Sequence, residues 1–479
     1  MKEIWFVTGS QHLYGAETLK QVKANSQTIV KSLATATGEN IKFKELVTLK
    51  EEVNEVFNEV NSSKECIGVI VFAHTFSPAK MWVNAFSKLE KPLLHLHTQF
   101  NKVIPANEID MDYMNLHQSA HGDRELAHGM TLAGVKRDVV VGHYEDKKVV
   151  EKIGNWVNAI KGVDVSTNFK MVRFGDNMNC VAVTDGNKAM AELKLGWTIN
   201  TVGVGDLVEY VDAVTEAQID ALIKEYETLY DFADNCKPGA EKYENVRYQA
   251  RLELGIEKYL VDGGYNAFTT NFDILHGLKQ LPGLASQRLM AKGYGFAGEG
   301  DWRTSAMVHI LKSMANNEDT SFMEDYTYDF ERGLILQSHM LEICPTIAKD
   351  RPKIEVHPLG IGGKEDPARI TFEGKKGDGI AVSLVELGGE YRLLVNTVEV
   401  VEAPYQMPKL PVAATFWKPQ PNLETSAHAW LLAGGAHHTI FSAKLNVAQI
   451  QTFAKYYGIK TVIIDENTTV SQIEKELNI

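Results

Sequence analysis

The sequence predicts an α/β protein: two doubly wound parallel-sheet α/β domains followed by a C-terminal antiparallel β-barrel-like domain. Three observations predict it. Apolar runs alternate with helical patterns through the first two thirds of the chain, as expected for parallel strands joined by crossover helices. After about residue 325 the texture turns to short β-branched segments separated by Gly, Asp and Pro, the pattern of antiparallel strands. The length, 479 residues, suits two to four domains of about 100–200 residues each. The expected divisions are 1–168, 169–319 and 320–479.

In the first part, a buried-strand run at 4–8 precedes Gly9-Ser10 and a helix from about residue 17, in which Leu19, Val22, Ile29 and Leu33 share a face. The strand signal recurs at 42–46, 67–72, 93–97 and 139–141. Helices are predicted over 50–61, 78–89, 111–121 and 145–159. The second part has strands at 169–174, 198–204 and 267–270, an acidic helix after Thr215, and helices over 284–292 and 304–314. In the third part strands are expected at 333–340, 354–357, 369–373, 380–387 and 391–401. Val447, Ile450, Phe453, Ala454 and Tyr457 then mark a late helix, followed by a strand at 461–464.

Composition removes several function classes. Hydrophobic residues make up 44% and charged residues 23%, a globular balance that disfavours intrinsic disorder. A net charge of −13 argues against a general binder of nucleic acid or anionic membrane, since both need positive surface. Cys66, Cys180, Cys236 and Cys344 are scattered without a C-x-x-C pair, so neither a disulfide framework nor a thiolate zinc site is expected. The N-terminal apolar run is too short for a signal sequence, and no run approaches the ~18 apolar residues of a membrane span. These features predict a soluble cytoplasmic protein.

The common catalytic signatures are missing. Gly9-Ser10-Gln11-His12-Leu13-Tyr14-Gly15 lacks the three glycines that bring backbone up to a pyrophosphate. The glycines at Val202-Gly203-Val204-Gly205 and Gly360-Ile361-Gly362-Gly363 read as turns. There is no Walker A lysine motif, no G-x-S-x-G elbow and no H-E-x-x-H helix. What remains is a group of carboxylates and histidines in unusual settings. Four glycines lie around Glu299 within 293–302, so this acid either projects from a tight loop into a cleft or caps a solvated turn. Glu324-Asp325 sits among Phe322, Met323 and Tyr326; burial there needs a metal or cation partner, and an exposed turn is the alternative. His339 lies in the strand-like run 334–340 and is either a ligand or a satisfied core histidine. Ala433-Gly434-Gly435-Ala436 presents His437-His438 on slender backbone, which favours a ligand or catalytic role. Two carboxylates with one or two histidines form a mixed O/N set suited to Mn²⁺, Co²⁺, Fe²⁺ or Zn²⁺. From the residues alone, the reading stops at a divalent-metal enzyme.

These segments closely resemble the bacterial L-arabinose isomerase family. The resemblance is carried by 5–15 (opening Trp5-Phe6-Val7-Thr8-Gly9), 74–82, 173–178, 274–283, 293–302, 321–328, 338–342, 359–369 and 433–439, and it runs the length of the chain. It implies an aldose–ketose isomerase converting L-arabinose to L-ribulose, with D-galactose to D-tagatose as a further reaction. It also implies one divalent metal per subunit, Mn²⁺ first and Co²⁺ second, held by Glu299, Glu324, His339 and His438. Glu299 and Glu324 become the acid/base pair of an enediol path, their individual roles unassigned; a hydride shift would use the same ligands. The implied substrate-lining positions are Gln11, Leu13, Met178, Phe272, Ile361 and His437. Phe76, Gln118 and His121 would come from a neighbouring subunit of a homo-oligomer, a hexamer or else a tetramer. The expected partner is a small sugar, with neither nucleic acid nor membrane. The alternatives are an isomerase of another sugar, such as L-fucose, and a non-catalytic sugar-binding protein.

Overall fold

The computed structural model describes residues 2–479. The chain forms two compact units that divide between Asp164 and Val165. No helix among the described residues is long and apolar enough to cross a membrane.

The first unit is built on five strands: β1 (Glu3–Gly9), β2 (Ile41–Val47), β3 (Cys66–Ala73), β4 (Leu93–His97) and β5 (Asp138–Val141). They pair in parallel in the order β2-β1-β3-β4-β5. β3 is buried along its whole length and β1 nearly so, which is why both read as unbroken apolar runs. The helix Gly15–Thr37 buries Val22, Ile29, Val30 and Leu33 and stops at Gly38, whose left-handed φ of +72° favours glycine. Strand order reverses at β1, with β2 on one side and β3 on the other. The carboxyl ends of β1 and β3 therefore flank a switch point, the usual crevice of such sheets.

Two predicted helices differ from those observed. Over 78–89 the chain forms a 3-10 turn, Ala79–Met81, and a short helix, Val83–Phe86. Trp82 sits between them, fully buried, and its Nε1 donates to Ser77 Oγ at 2.9 Å. The 111–121 helix is two helices, Met111–Leu116 and Ser119–Leu132, because His117 and Gln118 take non-helical angles. Ser119, the first residue of the second helix, donates from its hydroxyl to the His74 carbonyl.

The second unit opens with β6 (Lys170–Phe174), β7 (Thr198–Val202), β8 (Asp231–Phe232), β9 (Ala267–Thr269) and β10 (Gly295–Ala297). It continues with β11 (Thr320–Asp329), β12 (Leu334–Ser338), β13 (Lys353–Val356), β14 (Ala368–Thr371) and β15 (Gly377–Leu387). The last strands are β16 (Glu390–Val401), β17 (Ala414–Pro419), β18 (His438–Ser442) and β19 (Lys460–Ile464). A parallel sheet has the order β10-β9-β6-β7, and a small sheet the order β14-β13-β8. The large C-terminal sheet runs β15-β18-β11-β12-β17-β16-β19. β15 also pairs with β16, so this sheet curls back on itself in a barrel-like arrangement. It is mixed rather than wholly antiparallel: β19 follows the helix Val447–Tyr457, which lets it cross over and join β16 in parallel. Met323, Ile343, Val398, Val400, Trp417 and Phe441 form one of its cores. Burial of each large side chain there contributes about 1.5–3 kcal/mol.

Candidate metal centre

Strand register places the first carboxylate. β11 lies between β12 and β18, and Glu324 stands opposite Ser338 on one side and His438 on the other. Directly opposed residues share a face of the sheet, so Glu324 and His438 project together. Glu324 is thus a strand residue and not part of a turn. The strand β12 ends at Ser338, and His339, one residue beyond it, brings its Nε2 to 3.8 Å from Glu324 Oε2. His437 Nε2 is 4.0 Å from Glu324 Oε1.

Glu299 arrives from the loop that leaves β10. Its φ is +61°, a conformation that costs a non-glycine residue about 1–3 kcal/mol. The surrounding hydrogen bonds hold it there. Met178 N–H donates to the Glu299 carbonyl at 3.1 Å, Gly300 N–H to the Thr270 carbonyl at 2.9 Å, and Asp301 N–H to the Gly298 carbonyl at 2.9 Å. Close approach accounts for the flanking glycines: a Cβ on Gly298 would lie 2.8 Å from His339 Cε1, and one on Gly300 2.5 Å from Asn177 Cα. This turn sets Glu299 Oε2 3.5 Å from His437 Nε2 and 3.9 Å from His438 Nε2.

Each buried imidazole is anchored through Nδ1 by its own carboxylate. Asp301 Oδ2 accepts from His438 at 2.9 Å, and Glu342 Oε2 accepts from His339 at 2.5 Å. Asp301 also caps the helix Trp302–Met314, accepting from the backbone N–H and the hydroxyl of Thr304. Burial opposes ionisation of Asp301, but the His438 hydrogen bond and the Arg303 charge win and hold its pKa below the ordinary value. Burial likewise opposes charge on His339, yet Glu342, Glu324 and Glu299 together raise its pKa. The His437 imidazole keeps the Glu299 carboxyl below its usual range, and Glu299 raises His437 in return. Asp325, beside Glu324, is pushed up to about 6 by burial and by the Glu324 charge, against the hydrogen bond from Gln337.

The donor set fits a divalent cation. With Nδ1–H committed to a carboxylate, each imidazole presents its lone pair at Nε2, the arrangement found behind metal-bound histidines. His438 Nε2 is buried and has no hydrogen-bond partner. The ligand atoms of Glu299, His437 and His438 all lie within 4.8 Å of one another. Glu324 and His339 border them at the distances given above. A mixed carboxylate and imidazole set suits the first-row divalent ions.

The remaining predicted positions fall in two places. Phe272 stacks near His339, with ring centroids 6.2 Å apart and planes 20° from parallel. Met178 holds the Glu299 turn through its backbone. Ile361 precedes Gly362, where an added Cβ would stand 3.1 Å from the Phe272 carbonyl oxygen. Gln11, Leu13, Phe76, Gln118 and His121 belong to the first unit. There Gln118 Nε2 donates to the Tyr14 hydroxyl at 2.9 Å, His121 Nδ1 is 3.1 Å from Gln118 Oε1, and the Phe76 and His121 rings are 4.8 Å apart. Leu13 is 84% exposed. Sequence reasoning missed Asp301 and Glu342. Their signal was the presence of a second acid two residues after Glu299 and three after His339.

Comparison with known proteins agrees along the whole chain. Residues 1–168 match the L-arabinose isomerase N-terminal domain, 170–317 the central domain and 319–460 the C-terminal domain of that family. An L-arabinose isomerase of Geobacillus stearothermophilus is 54% identical, covering 99% of this chain and 97% of that protein. One of Anoxybacillus flavithermus is 54% identical over 99% and 96%, and one of Bacillus subtilis is 50% identical over 99% and 96%. The chain belongs to the L-arabinose isomerase family.

Proposed function

We propose that the chain converts L-arabinose to L-ribulose, and D-galactose to D-tagatose as a second pair, through proton transfers by Glu299 and Glu324. The observation that carries this reading is the pair of glutamates facing one group of three histidines, in a chain whose close relatives bear the name L-arabinose isomerase. Glu299, Glu324, His339 and His438 would hold one divalent ion per subunit, Mn²⁺ in preference to Co²⁺. Such an ion supplies Lewis-acid polarisation of the sugar oxygens.

The chain's own residues do the rest. An aldose–ketose interconversion moves a proton from C2 to C1 and another between O1 and O2. One glutamate takes the C2 proton and returns it at C1 along an enediol path, while the other shuttles the hydroxyl proton. Asp301 and Glu342 keep the two imidazoles in one tautomer and orientation. His437, half-buried beside both glutamates, orients the substrate. Met178, Phe272 and Ile361 line the sugar from the same unit. Gln11 and Leu13 are further lining residues, and Phe76, Gln118 and His121 serve the site of a neighbouring copy in a cytoplasmic homohexamer. We read the chain as three functional parts, 1–168, 169–319 and 320–479.

The test is direct. Chelated protein should lose L-arabinose isomerisation and regain it with Mn²⁺, and solvent deuterium should enter the product at C1. Full turnover after exhaustive chelation overturns the metal requirement, and label at C1 separates the enediol path from a hydride shift, which carries none.

A further inference from the structure

The first unit holds its own compact group of metal-ligating side chains, unused by the reaction above. His95 and His97 alternate on β4, so the two-residue period of a strand puts both on one face. Asp123 reaches them from the helix Ser119–Leu132. His97 Nδ1 lies 3.0 Å from Asp123 Oδ2, and His95 Nε2 lies 3.1 Å from Asp123 Oδ1. The Ala73 N–H at the end of β3 donates to Asp123 Oδ1 at 2.8 Å and fixes the carboxylate in place.

Hydrogen bonding leaves two features of this group unexplained. Asp123 is wholly buried, and among the described residues its ion-pair partners are these two histidines, with no lysine or arginine. His95 is 3% exposed, and neither of its ring nitrogens makes a hydrogen bond, although its Nε2 stands 3.1 Å from Asp123 Oδ1. A buried polar group without a partner and a buried carboxylate without a fixed cation are both costly. One divalent ion answers both. Ligand atoms about 2.0–2.2 Å from a shared ion lie ~3–4 Å apart; the two histidine–carboxylate separations are 3.0 and 3.1 Å, and one ligand atom from each of the three residues lies within 4.8 Å of the others. The His97 side chain is 28% exposed, which leaves an open side for water. Two imidazoles and one carboxylate suit a borderline ion better than Mg²⁺ or Ca²⁺, which take oxygen ligands.

We propose that His95, His97 and Asp123 form a second divalent-cation site, taking Zn²⁺ or Co²⁺ and clamping the helix Ser119–Leu132 to the end of β4. The site is separate in sequence and ligands from the centre at Glu299.

The test is metal stoichiometry on the full chain, stripped by chelation and titrated with Co²⁺ at micromolar concentration. Bound metal is measured by elemental analysis after washing and by the Co²⁺ visible absorption bands. The parent should retain two equivalents per chain, His97→Ala one, and the double variant Glu299→Gln/His438→Ala one. Circular dichroism checks that each variant is folded, and His97→Asn, which keeps a polar group at the site, serves as a second variant. A parent with one equivalent, lost in His97→Ala and kept in the double variant, supports this site and sinks the centre at Glu299. A folded His97→Ala or His97→Asn that still binds as much as the parent overturns the proposal. So does Co²⁺ uptake at this group at millimolar concentration only.

Discussion

In the second unit each buried imidazole has a carboxylate of its own on Nδ1, Asp301 for His438 and Glu342 for His339, while Glu299 and Glu324 stand apart from that duty. In the first unit two imidazoles share a single carboxylate, Asp123. The difference separates two kinds of histidine cluster. Where orientation is delegated to dedicated acids, other carboxylates are left over to meet a substrate and move its protons. Where one carboxylate is both anchor and ligand, nothing remains for acid–base work, and the cluster can only bind and brace.

The largest expected effect comes from removing the spare carboxylates. Glu299→Gln and Glu324→Gln should each lower kcat on L-arabinose by about 10²–10⁴-fold, the range for loss of an acid–base group. A variant that keeps parental kcat loses its place in the proton transfers. Next come the orienting acids. Asp301→Asn and Glu342→Gln should weaken Mn²⁺ binding ~10–100-fold, so that activity recovers when Mn²⁺ is raised. Mn²⁺ titration of activity reads this, and unchanged half-saturation in both would show that the division of duties is not what holds the centre.

How much of this was legible follows the same physics. The central strands of the first unit, β1, β3 and β4, could be read directly, because parallel strands buried on both faces are written as plain apolar runs. β11 was not foreseen as a strand: Glu324 and Asp325 interrupt its apolar pattern, and only pairing with β12 and β18 shows that the polar residues line a site. That same pairing brings Glu324 and His438 together across more than a hundred residues, which no spacing rule contains. The four ligand candidates were named through the family resemblance. Their neighbours Asp301 and Glu342 escaped because an acid near a histidine in sequence carries no sign that it faces the ring. The His95 and His97 alternation was visible as a strand, but Asp123, from a helix, completes the group only in three dimensions.

Packing beneath the centre gives a smaller effect. Gly298→Ala places a methyl 2.8 Å from His339 Cε1, and His339 is held from behind by Glu342. The expected cost is about 1–3 kcal/mol of stability, as for overpacking, together with weaker Mn²⁺ binding. Urea unfolding measures the first, and a variant as stable as the parent would mean that His339 is free to move aside.

A last effect, on stability alone, contrasts two carboxylates, Asp123 with its histidines and the Asp325 side chain with none bonded to it. Burial and the Glu324 charge raise Asp325 to about 6, above the ~3.9 of an unfolded chain. Folding therefore favours the protonated side chain. Its stabilising contribution is complete below about pH 4 and is lost as pH rises through about 6. Asparagine cannot ionise, so in the chelated chain Asp325→Asn should match the parent near pH 4 and exceed it at pH 8 by up to about 3 kcal/mol. Urea unfolding at the two pH values decides the matter. A difference that is the same at both would trace to the Gln337 hydrogen bond and not to ionisation, and the two carboxylates would then differ in partners alone.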